Sequence, residues 1–184
     1  MPARMIIAWS DAFLRVERRL LAVLVAAVTG LVLLNVVTRA FNMALFWVDE
    51  LAIYTMVWMV LIGVSTMVRE KTGIAVTILF DALGDRAKRW LGLTIDVVVL
   101  GFSVALLALC WRWYDPPGLV SAGFDTGAFS GETFNFIYQE PTNTLGVRKW
   151  IIWLVVPLVS ISLTVHSLAN VLQSINGVRG YNEE

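Results

Sequence analysis

The residues that could do chemistry in this chain are a few carboxylates and one histidine, set in or beside long apolar runs. Asp49 and Glu50 stand together just before one apolar run, Asp96 lies inside another, and His166 lies inside a third. In an apolar environment such groups are costly to keep charged, so they pair with a cation or pass protons. Ion pairing, proton transfer and partner recognition are therefore the chemistries that these residues allow.

The two adjacent carboxylates cannot serve one common site. Consecutive residues on a helix point about 100° apart, so Asp49 and Glu50 face different directions. One interpretation places both at the water line, where negative charge beside a helix N-terminus is favourable. The other pairs one of them with a cation, either Arg39 or an arginine of a partner protein.

An aromatic stripe accompanies Glu50. Trp47, Glu50, Tyr54 and Trp58 are spaced three, four and four residues apart and so lie along one helix face. Tryptophans at a bilayer edge need no partner, but lipid alone does not explain a carboxylate in line with them. The stripe therefore predicts packing against another protein.

The two polar residues deeper in the apolar runs have structural and functional interpretations. For Asp96, pairing with Lys88, Arg89 or a partner's cation is favoured over an ion or proton relay. For His166, which shares a polar stripe with Asn170, a buried and hydrogen-bonded ring is favoured over a pH switch.

Catalysis is not indicated. The sequence contains no recognisable nucleophile–base arrangement, glycine-rich phosphate loop or metal cluster. The one cysteine, Cys110, and the one histidine exclude an intrachain disulfide and leave too few ligands for a zinc site or a bis-histidine haem. The sequence predicts a protein that is not an enzyme and has no cofactor or metal.

The composition is that of an integral membrane protein. Of 184 residues, 58% are hydrophobic and only 15% are charged, and the mean hydropathy is +0.75. A soluble domain is nearer half apolar and a quarter charged. The formal net charge is zero, which argues against nucleic acid as a partner.

Four predominantly apolar runs are long enough to cross a bilayer. The second has 18 residues, about 27 Å of helix, which is close to the hydrocarbon thickness. The predicted fold is all-α, a single membrane domain over residues 1–184. Residues 1–19 and 72–90 are predicted to be interfacial amphipathic segments, the first retained rather than cleaved as a signal peptide. The predicted transmembrane spans are 20–38, 51–68, 91–111 and 150–172.

The connections between the spans differ in charge and length. Ten of the 14 lysines and arginines lie in the N-terminal tail, the second-to-third connection and the C-terminal tail. The positive-inside rule then predicts that both termini are cytoplasmic. The loop 112–149 is accordingly predicted to be periplasmic, and its prolines and glycines predict irregular structure.

The end of the first span and the start of the second carry a motif. The sequence reads Asn35-Val36-Val37-Thr38-Arg39, then Phe46-Trp47-Val48-Asp49-Glu50-Leu51-Ala52, and later Val68-Arg69-Glu70-Lys71. With four spans, this resembles the small membrane subunit (DctQ type) of tripartite ATP-independent periplasmic (TRAP) transporters. Gly73, Thr77 and the long 112–149 loop depart from the usual pattern.

The resemblance implies a function. It implies a non-catalytic, multi-pass protein of the bacterial inner membrane that supports a large membrane subunit in sodium-driven symport of an organic acid. A periplasmic solute-binding protein would deliver the solute. The implied interface with the large subunit comprises Asn35, Arg39, Trp47, Asp49, Glu50, Tyr54, Trp58 and Arg69.

Two alternatives belong to other classes. One is a stand-alone, proton-coupled small carrier that uses Asp96 or Glu50. The other is a membrane redox or quinone-binding subunit, which the single histidine disfavours.

Overall fold

Helices account for almost all of the structure. The computed structural model describes residues 2–72 and 83–182, with side chains over 3–72 and 83–176. Most of the predicted interfacial segment 72–90 lies outside the described residues, including Gly73 and Thr77. No β-strand forms in the described residues. The helices are α1 (Pro2–Ala40), α2 (Phe46–Glu70), α3 (Asp85–Tyr114), α4 (Pro116–Ser121), α5 (Thr126–Thr133), α6 (Lys149–Trp153) and α7 (Val155–Asn182).

The prediction of an all-α protein with four spans is confirmed. Four helices are long and apolar enough to cross a membrane, within residues 3–40, 46–70, 85–121 and 149–176. Each contains one of the predicted spans. The lead-in 1–19 does not form a separate helix, because α1 runs without a break for 39 residues from Pro2.

Charges at the helix ends match the helix dipoles. Asp49 stands in the first turn of α2 and Arg69 in its last turn. Asp85 and Arg112 take the same places in α3. Carboxylates near an N-terminus and cations near a C-terminus are stabilising, so these residues help to set where each helix begins and ends.

The prediction of irregular structure throughout the loop 112–149 is wrong for two segments. α4 begins with Pro116 and Pro117 in the first turn, where proline gives up only an N–H that would have no helical partner. Its N-cap is Asp115, whose side chain accepts a hydrogen bond from the Gly118 amide. α5 is capped by Asp125 in the same way. Proline and glycine therefore mark helix starts here rather than continuous coil.

The last span is interrupted near its start. α6 ends at Trp153 and α7 begins at Val155. Pro157 follows three residues after Leu154, and its missing N–H cannot bond to the Trp153 carbonyl. The break of helical regularity therefore falls just before Pro157.

The described chain divides into two compact units. The first unit comprises Met1–Arg19, Ile62–Leu107 and Val159–Glu184, and the second comprises Leu20–Leu61 and Ala108–Leu158. The first unit contains buried polar side chains contributed by α1, α2, α3 and α7.

The second unit has an aromatic core. Phe129 and Tyr138 meet edge to face with ring centroids 5.5 Å apart. The Tyr138 hydroxyl donates to the Tyr114 carbonyl at 2.5 Å, and the Tyr114 hydroxyl donates to the Trp150 carbonyl at 2.9 Å. Burial, assisted by the charge of Asp115, raises the pKa of the Tyr138 phenol. These contacts give the loop between α3 and α6 a fixed conformation.

Candidate functional site

Glu50, in the second unit, is held by a backbone loop. The side chain accepts hydrogen bonds from the amides of Asn143 at 2.7 Å, Thr144 at 2.6 Å and Leu145 at 3.1 Å. The Thr144 hydroxyl adds a bond of 2.6 Å, and the Tyr54 hydroxyl one of 3.2 Å. Only 9% of Glu50 is exposed. Successive backbone N–H groups that converge on one carboxylate form an anion-binding nest.

A tight loop aims these amides at Glu50. The Thr142 amide donates to the Val147 carbonyl at 2.7 Å, and the Val147 amide donates to the Thr142 hydroxyl at 3.0 Å. Gly146 has a φ of 67°, a conformation that glycine adopts without strain. Pro141 and Arg148 close the base of the loop through an isolated bridge. Contacts within the loop and the bonds to Glu50 therefore hold the nest together.

Asp49 belongs to a separate cluster in the same unit. The Arg39 Nη2 lies 2.7 Å from the Asp49 Oδ2, and the Arg39 Nε donates to the Asn35 Oδ1 at 2.9 Å. Asn35 Nδ2 donates in turn to Asp49 Oδ1. The cluster ties the end of α1 to the start of α2. The Arg39 side chain is 59% exposed and that of Asp49 is 36% exposed, so the ion pair contributes little to stability.

Glu17 is the centre of a buried cluster in the first unit. Its Oε1 accepts from the hydroxyls of Ser65 at 2.9 Å and Ser162 at 2.6 Å. Its Oε2 lies 3.0 Å from the His166 Nε2, and the His166 Nδ1 lies 2.7 Å from the Ser10 hydroxyl. Ser10, Ser65 and His166 are fully buried and Glu17 is 8% exposed. The cluster joins α1, α2 and α7 through groups that all have partners.

Arg69 forms a second cluster in this unit. Its Nη2 lies 2.7 Å from the Asp11 Oδ1. Its Nη1 donates to the side-chain oxygens of Asn170 at 2.7 Å and Gln173 at 2.9 Å. The Arg69 side chain is 9% exposed. One guanidinium thus holds α1, α2 and α7 together, a role that suits its several fixed donors.

Asp96 forms a third cluster in the first unit. Its Oδ2 lies 2.8 Å from the Lys71 Nζ and accepts from the Ser174 hydroxyl at 2.5 Å. The Lys71 ammonium also donates to the Ser174 oxygen at 3.1 Å. Lys71 has a φ of 54° just beyond the end of α2. The cluster fixes that end of α2 to α3 and α7.

Most of the chain matches a known protein family. The family model for the DctQ component of tripartite ATP-independent periplasmic transporters matches residues 28–177. This chain belongs to the DctQ family. The resemblance inferred from the motifs in α1 and α2 is thereby confirmed. The DctQ match begins within α1, so Asn35 and Arg39 lie inside it while Ser10 and Glu17 precede it.

One curated relative is itself a DctQ protein. The C4-dicarboxylate TRAP transporter small permease protein DctQ of Vibrio cholerae serotype O1 is 31% identical over 102 residues. The aligned residues make up 55% of this chain and 44% of the relative, so the chain covers less than half of that relative's length. No solved structure matches the chain.

Two polar groups of this DctQ protein that are predicted at a partner interface, those of Glu50 and Trp58, form hydrogen bonds within the chain. A partner is predicted at Glu50 because lipid chains cannot donate hydrogen bonds to a carboxylate. In the structure the amides of residues 143–145 donate these bonds. The Trp58 indole donates to the Ile152 carbonyl at 2.8 Å. Near the end of α6, that carbonyl is one of those a helix leaves unpaired. Of the predicted tryptophans, Trp47 is the more exposed, at 42%.

One further expectation needs correction. Within the described residues, the cation that pairs with Asp96 is Lys71 and not Lys88. Arg69 contacts Asp11 of its own chain, and its contact with another subunit stays a prediction.

Sequence reasoning missed Glu17 altogether. It lies in the segment 1–19 that the sequence predicts to be interfacial, although Ser10 and Glu17 are seven residues apart and share a helix face. A helix of the first span that continues back to residue 2 places Glu17 about one turn before the uncharged run that starts at Leu20. Only the folded chain brings His166 to it, because the two residues are 149 positions apart.

Ser10, His166 and Glu17 stand in the order of a catalytic triad, an arrangement that sequence analysis did not find. A triad serine must reach a substrate carbonyl beside donors for the developing oxyanion. Ser10 and His166 are fully buried, so a substrate does not reach them in this structure. Their hydrogen bonds connect α1 with α7. Within residues 2–72 and 83–182, no cluster of three or more histidine, cysteine or acidic side chains could hold a metal.

Proposed function

We propose that this chain is the small, non-catalytic membrane subunit of a TRAP transporter of the bacterial inner membrane. In this proposal it supports a large membrane subunit that imports an organic acid with sodium, the solute being delivered by a periplasmic solute-binding protein. The observation that carries the proposal is the DctQ match over residues 28–177. Because the V. cholerae relative is a C4-dicarboxylate transporter component, dicarboxylates are the proposed solute class.

The polar clusters support a static role in transport. Glu17, Arg69 and Asp96 each bind groups on more than one helix. A proton or ion relay needs a group that exchanges partners, whereas these groups are held by several bonds at once. A helix bundle fastened in this way suits a fixed support for a moving transport domain.

The contacts of Glu50 and Asp96 within the chain weigh against a stand-alone carrier. Such a carrier would use Asp96 or Glu50 as a proton site. Glu50 accepts hydrogen bonds from three amides and two hydroxyls, and Asp96 pairs with Lys71. Each carboxylate therefore has partners within the chain, which favours a structural role over a proton site.

The proposed surface for the large subunit is an apolar stripe on α2 in the second unit. Phe46, Ile53 and Val60 follow at intervals of seven residues and so lie on one face of the helix. They are 69%, 55% and 54% exposed. Trp47 borders the stripe. Glu50 and Trp58, which are also predicted at the interface, have polar partners within the chain.

Co-purification with the large subunit tests the proposal. Lipid accommodates a larger apolar side chain, whereas a packed interface does not. Ile53→Trp with Val60→Trp is therefore expected to reduce recovery of the large subunit and solute uptake together. The matched control is Val98→Trp on α3, where Val98 is 64% exposed. Normal recovery and uptake with the α2 variant, or uptake by this chain reconstituted alone, would contradict the proposal.

The proposed orientation has both termini in the cytoplasm. Gly131 and Gly84 are suitable probe sites, because a Cβ at either meets no atom within 4 Å. In a Cys110→Ser background, an impermeant thiol reagent added outside is expected to label Gly131→Cys and to spare Gly84→Cys. Labelling after membrane disruption controls for reactivity. The reverse pattern would show the opposite orientation.

Asp96 is expected to act in assembly rather than in ion coupling. Asp96→Asn should lower the free energy of unfolding by about 1–3 kcal/mol, because the Lys71 ammonium loses a charged partner. The sodium dependence of uptake should stay unchanged. The control is Asp85→Asn, an exposed carboxylate on the same helix. A shifted sodium dependence with normal stability would indicate a relay instead.

A further inference from the structure

Two tryptophans of the second unit stand where the third predicted span ends and the fourth begins. Trp113 lies in the last turn of α3 and Trp153 at the end of α6, and their ring centroids are 6.2 Å apart. Trp113 is 39% exposed, and its neighbour Arg112 is exposed as well. Tryptophan is enriched at the membrane–water boundary, and arginine near a helix end reaches lipid phosphates. These residues therefore mark the edge of the bilayer at this end of the unit.

The loop between α3 and α6 returns to the same height. The Asn135 Nδ2 donates to the Trp113 carbonyl at 2.7 Å, one of the carbonyls that the end of α3 leaves unpaired. The Asn135 Oδ1 accepts from the Ile137 amide at 3.2 Å, so both polar ends of this side chain are fixed. Residues 134–136, here called the edge segment, therefore lie beside the last turn of α3.

The edge segment carries two exposed aromatic rings. Phe134 and Phe136, on either side of Asn135, are 82% and 49% exposed. Phe134 also has a φ of 55°, a left-handed conformation that is rare for bulky residues. The Phe134 ring is not buried in return, so packing within the chain does not explain the choice of residue. Contact with something outside the chain does.

The charges around the edge segment nearly balance. Residues 112–149 contain three cations and four carboxylates, namely Arg112, Arg148, Lys149, Asp115, Asp125, Glu132 and Glu140. Glu140 pairs with Lys149 at 3.1 Å, and Asp115 and Asp125 cap helices. Glu132 is exposed. The surface is thus nearly neutral and aromatic at the height of the bilayer edge, which matches the boundary between lipid headgroups and acyl chains.

We propose that Phe134 and Phe136 insert into this boundary region of the lipid and anchor the loop between α3 and α6 on the membrane. The aromatic rings leave water for the upper part of the acyl chains, while Arg112 meets the phosphates. The contact would fix the height of this unit in the bilayer. The inference does not depend on which solute the transporter carries.

Lipid quenching tests the contact directly. A fluorophore is attached at Phe134→Cys in a Cys110→Ser background, in vesicles that also contain the large subunit. Lipids brominated near the glycerol end of the acyl chain should quench its emission. Val98→Cys, at a position that is 64% exposed within a span, gives the value for lipid contact. Gly131→Cys, where a Cβ meets no atom within 4 Å, gives the value for water. Quenching at Phe134 no stronger than at Gly131 would overturn the inference.

A matched pair of substitutions separates the ring from the backbone. Phe134→Trp and Phe134→Glu both place a long side chain at the same left-handed position, but only tryptophan favours the membrane boundary. With the fluorophore moved to Phe136→Cys, the tryptophan variant should keep the quenching and the glutamate variant should lose most of it. The melting temperatures of the two variants should agree, because the side chain is exposed. Equal quenching in both variants would overturn the inference.

A protein partner is the outcome that the order of addition detects. The labelled chain is reconstituted alone, then with the large subunit, and then with a solute-binding protein added outside. Quenching is expected with the chain alone and should persist through both additions. An emission change that requires one of these proteins would assign Phe134 to that protein. It would overturn the lipid anchor and leave the proposed function in place.

Discussion

Glu17→Ala is expected to lower the free energy of unfolding in detergent by about 3–5 kcal/mol, the usual cost of breaking a buried charged network. The substitution leaves the hydroxyls of Ser65 and Ser162 and the ring of His166 without their acceptor. All three groups are buried, so water does not replace the lost bonds without opening the bundle. Equilibrium unfolding by SDS, followed by circular dichroism, measures the change.

Glu70→Ala is the matched control for Glu17. Glu70 also lies in the first unit and pairs with Arg18 at 2.7 Å, but the two side chains are 30% and 60% exposed. An exposed pair of this kind contributes under about 1 kcal/mol. If Glu17→Ala cost no more than Glu70→Ala, the buried cluster would not be what fastens α1 to α2 and α7.

Glu50→Ala is expected to release the loop that follows Tyr138. The amides of residues 143, 144 and 145 lose their common acceptor, so their hydrogen exchange should accelerate by at least about tenfold. Glu50→Gln should give a smaller effect in the same direction, because a neutral amide oxygen is a weaker acceptor than a carboxylate. Exchange followed by mass spectrometry resolves this segment.

The neighbouring carboxylate provides the control. Asp49→Ala removes an acid of similar size from the preceding position, but its partners are Arg39 and Asn35. Exchange at residues 143–145 should therefore stay at its normal rate in this variant. Equal acceleration in both variants would mean that a general loosening of α2, and not the nest, controls the loop.

The spans could be predicted from the sequence because their signal is local. Uncharged runs such as 51–68 are long enough to cross a bilayer whatever the rest of the chain does. The family could likewise be inferred from a short stretch, Asn35 to Arg39 and Trp47 to Glu50. The sequence also allowed a pair between Arg39 and one of the two adjacent carboxylates, and in the structure this carboxylate is Asp49, ten positions away.

The remaining contacts depend on tertiary structure. The partner amides of Glu50 are 93 to 95 residues away, and backbone donors leave no mark in residue identity. The sequence favours a buried, hydrogen-bonded ring for His166, but it does not identify the partner, because Glu17 lies 149 positions away in the predicted interfacial segment. The short helices α4 and α5 differ from the predicted irregular loop because proline and glycine, which indicate coil, also suit helix ends.

The nest around Glu50 determines which sequence changes this loop tolerates in evolution. Since three of the donors are main-chain N–H groups, the side chains of Asn143 and Leu145 are not what Glu50 recognises. Any residue except proline preserves the contact at these two positions, whereas inserting or deleting one residue moves the amides out of reach. The side chains that the loop presents to solvent can therefore vary in evolution while its length and Glu50 stay the same.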